Sequence, residues 1–107
     1  MITLTQGDNG KTIELAVGEK LVIRLAENPT TGYRWAVEPG GEGFFDPPGS
    51  EFVQTPDAKI GEGGIRVFSF EAIKPGKSSL AIKHWRAWQG ESSVTARFRV
   101  DILISGI

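Results

Sequence analysis

Apolar and polar residues alternate with a period of two through most of the chain. In Thr12–Val17, the residues Ile13, Leu15 and Val17 share one face, and after a turn at Gly18–Glu19 the pattern resumes with Leu21, Ile23 and Leu25. Tyr33–Glu38 places Tyr33, Trp35 and Val37 together, and Glu51–Gln54 is a shorter run of the same kind. Ile65–Ile73 turns Phe68, Phe70 and Ala72 inward, KPGK at 74–77 makes a tight turn, and Ser78–Trp85 turns Leu80 and Ile82 inward. The longest run, Val94–Ile104, sets Val94, Phe98, Val100, Ile102 and Ile104 against Arg97, Arg99 and Asp101. No window sustains a helical period. Short strands with turns every ~8–12 residues predict an all-β protein, an antiparallel β-sandwich of about seven to eight strands. With no internal repeat and no boundary, residues 1–107 read as a single domain.

Two connections stand out. PGGEGFFDPPGS at 39–50 reads as a long loop that tucks Phe44 or Phe45 onto the core. NPTTGY at 28–33 is a stiff link between KLVIRLA and RWAVE. Pro29 fixes its own φ and biases Asn28 toward extended backbone. Thr30 and Thr31 are restricted at χ1, and Gly32 permits a positive φ. Nothing in the stretch titrates near neutrality, so it is shaped rather than reactive.

Composition narrows the function classes. Hydrophobic residues make up 39% of the 107 and charged residues 23%, as in an ordinary folded domain. A net charge of −1 without a block of like charges leaves no electrostatic footprint for nucleic acid or anionic lipid. Cysteine is absent, which removes disulfides, thiolate metal sites and a cysteine nucleophile together. No apolar run approaches the ~20 residues of a membrane span. The chain has no signal peptide, which makes it cytoplasmic as it stands, or periplasmic or secreted if a leader has been trimmed.

Candidate chemistry is sparse. His84 is the only histidine, no G-x-S-x-G elbow accompanies it, and a transition-metal site is not expected. Its parity with Leu80 and Ile82 predicts a core-edge imidazole with a satisfied hydrogen bond. GEGG at 61–64 lacks G-K-[ST] and precedes a strand rather than a helix, so it reads as a hairpin connection and not a phosphate cradle. HWRAWQG at 84–90 clusters Trp85, Arg86 and Trp88 where a strand ends, and Trp and Arg are residue types enriched at binding hot spots. Connections in a sandwich alternate between its two ends, so the loops at 27–32, 57–64 and 86–92 meet at one end. A stiff wedge flanked by a glycine loop and a Trp/Arg loop suits recognition of a concave partner by shape.

These three motifs, NPTTGY at 28–33, GEGG at 61–64 and WRAW at 85–88, resemble in order and spacing the loop motifs of the chagasin family of cysteine-protease inhibitors. The resemblance extends over essentially the whole chain. It implies an immunoglobulin-like sandwich, not an enzyme, that inhibits papain-like (cathepsin L-type) cysteine proteases reversibly, competitively and without cofactors, and that is monomeric when free. It further implies that Asn28, Pro29, Thr30, Thr31 and Gly32, closed by Tyr33, enter the catalytic cleft, with Thr31 nearest the protease's cysteine. Gly61, Gly63 and Gly64 then let one flanking backbone approach closely, while Arg86 and Trp88 contact the other wall. Ala87 departs from the family's Arg-Pro-Trp, and the missing φ constraint predicts a looser third loop. The rival reading is a carbohydrate-binding module, in which the three Trp and single Tyr stack on sugar rings along a sandwich face.

Overall fold

Alternation of period two becomes two four-stranded sheets that meet through the residues sharing the inward parity. The structure is a computed structural model that describes residues 1–40, 43–54 and 63–106. Eight strands form among these residues: β1 (Ile2–Thr5), β2 (Thr12–Ala16), β3 (Lys20–Glu27), β4 (Arg34–Val37), β5 (Gly49–Gln54), β6 (Gly64–Glu71), β7 (Gly76–Trp85) and β8 (Ala96–Ser105). One sheet runs β1-β3-β6-β5 and the other β2-β8-β7-β4. Leu21, Ile23 and Leu25 of β3, Phe68 and Phe70 of β6, Leu80 and Ile82 of β7, and Phe98, Val100, Ile102 and Ile104 of β8 are buried together. Phe45 is the ring that the 39–50 loop delivers; it bridges to Ala72 and meets Phe70 edge-on at 5.8 Å.

The sheets are mixed, which corrects the expectation of a purely antiparallel sandwich. β1 pairs with β3 in parallel, and β2 pairs with β8 in parallel. The N-terminal segment breaks at a 3-10 turn over Gln6–Asp8, where the Asp8 carboxylate accepts from the Thr5 N–H at 2.9 Å and from Lys11 Nζ at 2.8 Å. Its two halves therefore join different sheets. The chain visits β2 in one sheet before it returns as β3 in the other, and such a crossover permits parallel pairing where a tight hairpin does not. β1 itself is not anticipated by the sequence pattern.

Register sets up one end of the sandwich. Glu27, the last residue of β3, faces Gly64, the first of β6, and Arg34, the first of β4, faces Trp85, the last of β7. The 28–33 connection, the residues leading into β6 and the residues leaving β7 thus emerge side by side.

Candidate functional site

The floor of this end is a buried carboxylate. Glu27 has the same parity as Leu21, Ile23 and Leu25 and is only 3% exposed. Its Oε2 accepts from Arg66 Nε at 3.0 Å and Nη2 at 2.8 Å, and its Oε1 accepts the Trp35 N–H at 2.8 Å. The Trp35 indole N–H donates to the Ala26 carbonyl at 2.8 Å. A two-pronged guanidinium and a backbone N–H satisfy the charge that burial would otherwise make costly. The strand ends bracketing the 28–33 turn are thereby held together.

Above that floor, residues Pro29–Thr31 form one 3-10 turn. Asn28 caps it. Its Oδ1 accepts from the Thr30 N–H at 3.1 Å and the Thr30 hydroxyl at 2.6 Å. Its carbonyl accepts from the Thr31 N–H at 3.2 Å and the Thr31 hydroxyl at 2.8 Å. The two threonines are exposed, yet both hydroxyls point back into the loop. Gly32 closes the turn at φ +81°, as the sequence anticipates.

The third loop leans on the first. Ala87–Gln89 and Glu91–Ser93 make two successive 3-10 turns joined at Gly90, whose φ is 74°. Buried Ser93 accepts the Arg86 N–H at 3.0 Å, with its hydroxyl 2.6 Å from the Gly90 carbonyl. This staple directs the Arg86 side chain across the gap. Arg86 Nε and Nη2 donate to the Thr31 carbonyl at 3.2 and 3.0 Å, and the guanidinium carbon lies 4.4 Å from the Tyr33 ring centroid. Trp88 covers Gly32 so closely that a β-carbon there would sit 2.5 Å from the indole Cη2, although the indole is 71% exposed overall. Tyr33 is stacked on His84 at 5.3 Å, and His84 rests on Trp35 at 4.8 Å.

The glycine motif is only partly described: Gly61 lies outside the described residues. Gly63 is buried at φ +78°, and a β-carbon there would meet the Glu27 carbonyl at 2.5 Å and Asn28 Cα at 2.7 Å. A β-carbon on Gly64 would run into the Val53 carbonyl. Both glycines are therefore required by close packing within the chain, a reason that the motif alone does not reveal.

Among the described residues, no reactive chemistry is assembled here. His84 Nδ1 lies 2.9 Å from Thr95 Oγ1, as a core-edge imidazole should. Burial pushes its pKa below the ordinary histidine value, partly offset by the Glu27 charge. Nor do the aromatics form a sugar-stacking row. Trp35 is buried, Lys83 Nζ sits 3.6 Å over Trp85, and Tyr33 is held between His84 and Arg86. Sequence reasoning missed Glu27, Arg66 and Ser93; the inward parity of Glu27 and Arg66 was the available signal.

Comparison with known proteins agrees with the geometry. Residues 14–102 match the model of the chagasin family peptidase inhibitors. Chagasin of Trypanosoma cruzi is 35% identical over 103 residues, covering 91% of this chain and 92% of its own. The cysteine protease inhibitor EhICP2 of Entamoeba histolytica superposes with a TM-score of 0.85 at 20% identity, covering 97% of this chain and 94% of that one. PbICP-C, solved in complex with falcipain-2, superposes with a TM-score of 0.61 at 22% identity, covering 100% of both chains. At these identities the two structures establish the shared immunoglobulin-like fold.

Proposed function

Because this chain belongs to the chagasin family of peptidase inhibitors, its activity is inhibition of papain-like cysteine proteases, and we propose that it inhibits them by inserting the 28–33 turn into the catalytic cleft. It is an inhibitor and not an enzyme. Asn28, Pro29, Thr30, Thr31 and Gly32 supply the wedge, with Thr31 at its tip facing the catalytic cysteine. Trp88 lies against one wall of the cleft, and the Gly61–Gly64 segment against the other. The observation that carries this reading is the cross-brace from Arg86 to the Thr31 carbonyl with Trp88 laid over Gly32. It joins two of the three loops into one preformed surface, so little ordering cost falls on association.

The wedge offers no electrophile beyond its ordinary backbone carbonyls, so binding is non-covalent, and because the turn fills the cleft that substrate would occupy, inhibition is competitive. Titration against papain with a fluorogenic peptide tests it: micromolar or tighter competitive inhibition is expected, with no adduct by intact mass spectrometry and undiminished binding to the protease's cysteine-to-alanine variant. Absence of inhibition across several papain-like enzymes rejects the reading.

A further inference from the structure

Building on the wedge reading above, we propose that Arg86 is a positioning residue that withholds the Thr31 carbonyl from proteolysis, so that the Thr31–Gly32 bond at the tip of the wedge is not presented as a scissile bond. Cleavage by a cysteine protease needs the scissile carbonyl oxygen in an oxyanion hole, with donors about 2.7–3.1 Å away, while the thiolate attacks the carbonyl carbon. The C–N bond then breaks, the Gly32 amine leaves with a proton, and water releases the acyl group. In this molecule the Thr31 oxygen is already taken by two donors of its own chain, Arg86 Nε at 3.2 Å and Nη2 at 3.0 Å. A carbonyl oxygen has two lone pairs, and the guanidinium fork addresses the same oxygen from one side with both prongs.

The fork is itself fixed. Its backbone N–H is tied to Ser93 at 3.0 Å, and its guanidinium lies 4.4 Å from the Tyr33 ring, which in turn stacks on His84. The leaving-group side is covered as well, because the Trp88 indole occupies the space where a Gly32 β-carbon would stand. Any protease that attacks this bond must first strip Arg86 from the oxygen and lift Trp88 from the glycine. A rigid turn alone would resist cleavage through its shape; this arrangement adds a specific competitor for the oxyanion hole.

The test compares wild type with Arg86→Met, which keeps apolar packing over Tyr33 but has no donor, and Arg86→Lys, whose ammonium reaches for the same oxygen. Each is incubated with papain and, separately, with proteinase K, a serine protease outside the proposed inhibitory range. Intact mass and N-terminal analysis locate the cut, and Tm reports folding. Wild type is expected to stay whole at this bond. Arg86→Met is expected to split into two fragments, 1–31 and 32–107, whose masses sum to that of the intact chain plus one water, with a new N-terminus at Gly32, at least about tenfold faster and at an unchanged Tm. Arg86→Lys is expected to be cut several-fold more slowly than Arg86→Met. If Arg86→Met lowers the Tm, Arg86→Ala removes the same donors with no bulk to misplace and takes its role. The proposal is overturned if the folded donor-less variant stays as intact as wild type, if it is cut elsewhere in 28–33 at the same rate, or if Arg86→Lys is cut equally fast. A wild type that fails to inhibit papain, beside a variant nicked by proteinase K at Thr31–Gly32, rejects the wedge as an inhibitor and upholds the protection of the carbonyl.

Discussion

The carboxylate of Glu27 is buried beneath the 28–33 turn and held by Arg66 through two charge-assisted hydrogen bonds, at 2.8 and 3.0 Å. The Glu27 side chain is fully covered, while that of Arg66 retains 18% of its exposure. Removing one member of such a pair strands the other, at a cost of about 3 kcal/mol. Glu27→Ala also orphans the Trp35 N–H, whereas Glu27→Gln can still accept it. Urea unfolding is therefore expected to rank stability as wild type, then Glu27→Gln, then Glu27→Ala. Inhibition is expected to weaken in the same order, since Asn28 follows directly on Glu27. Equal stability for wild type and Glu27→Ala would remove Glu27 from its place as the floor of the site.

Stability should also respond to pH through His84. Its folded-state pKa is lowered, first by burial and against the opposing pull of the Glu27 charge. Above the unfolded value of ~6.5 both states hold a neutral imidazole, and the full stability is present. As pH falls below that value the unfolded chain takes up the proton first, so stability declines until the folded imidazole is protonated as well. Asp8 behaves differently. Its pKa is lowered chiefly by the hydrogen bond from Lys11, so its contribution persists above its unfolded value and is lost only in more acidic solution. A Tm profile is expected to slope downward from pH 7 toward the lowered His84 value, and His84→Gln should flatten that step while leaving the acid limb. An unchanged slope in His84→Gln would assign the step to other groups.

The inward residues Leu21, Ile23, Leu25, Phe68, Phe70, Leu80 and Ile82 were legible because a period of two is imposed by strand geometry itself. The turn at 28–33 was legible for a similar reason, since proline and glycine restrict backbone wherever they occur. β1 was not: four residues with two apolar positions do not distinguish a strand from an irregular tail. Parallel pairing of β1 and β2 depends on where the chain crosses between sheets, which alternation does not encode. The Arg86–Thr31 bond joins residues 55 apart, and nothing in either local sequence names the other. The resemblance implies that Arg86 contacts the protease's wall, and the fold adds that its guanidinium also has a partner within the chain. The resemblance implies that Gly63 lets one flanking backbone approach closely, and the fold adds a reason within the chain, since its missing side chain leaves room for the Glu27–Asn28 backbone.

Ala87 tests whether the third loop gains from a proline. The residue opens a 3-10 turn, a position whose N–H has no partner inside the turn and where proline is tolerated. Arg86 ahead of it is extended, at φ −102° and ψ 108°, close to the region that a following proline enforces. Ala87→Pro is therefore compatible with the native backbone and narrows the unfolded one, a gain of about 0.4–1 kcal/mol. Thermal unfolding should show a small rise in Tm. Inhibition should tighten by up to about fivefold to the extent that the free loop samples other conformations. A lower Tm would mean that the turn is held differently in solution.

Trp88 and Gly32 are predicted to act as one unit. Truncating an exposed, hot-spot indole that becomes desolvated on binding typically costs about 2–4 kcal/mol, so Trp88→Ala should weaken inhibition roughly 30- to 1,000-fold. Its Tm should barely move, because the indole is 71% exposed in the free protein. Gly32→Ala carries two penalties: a positive φ, and a methyl group 2.5 Å from the Trp88 Cη2. The first strains the turn by about 1–2 kcal/mol wherever Trp88 lies. The second displaces the indole, so Gly32→Ala should forfeit much of what Trp88→Ala forfeits. In the Trp88→Ala background only the φ strain is left, and adding Gly32→Ala should then cost far less inhibition than it does in wild type. Inhibition constants for the two single variants and the double variant, with Tm values alongside, close the cycle. Additive losses would show that the indole does not rest on Gly32 when the inhibitor binds.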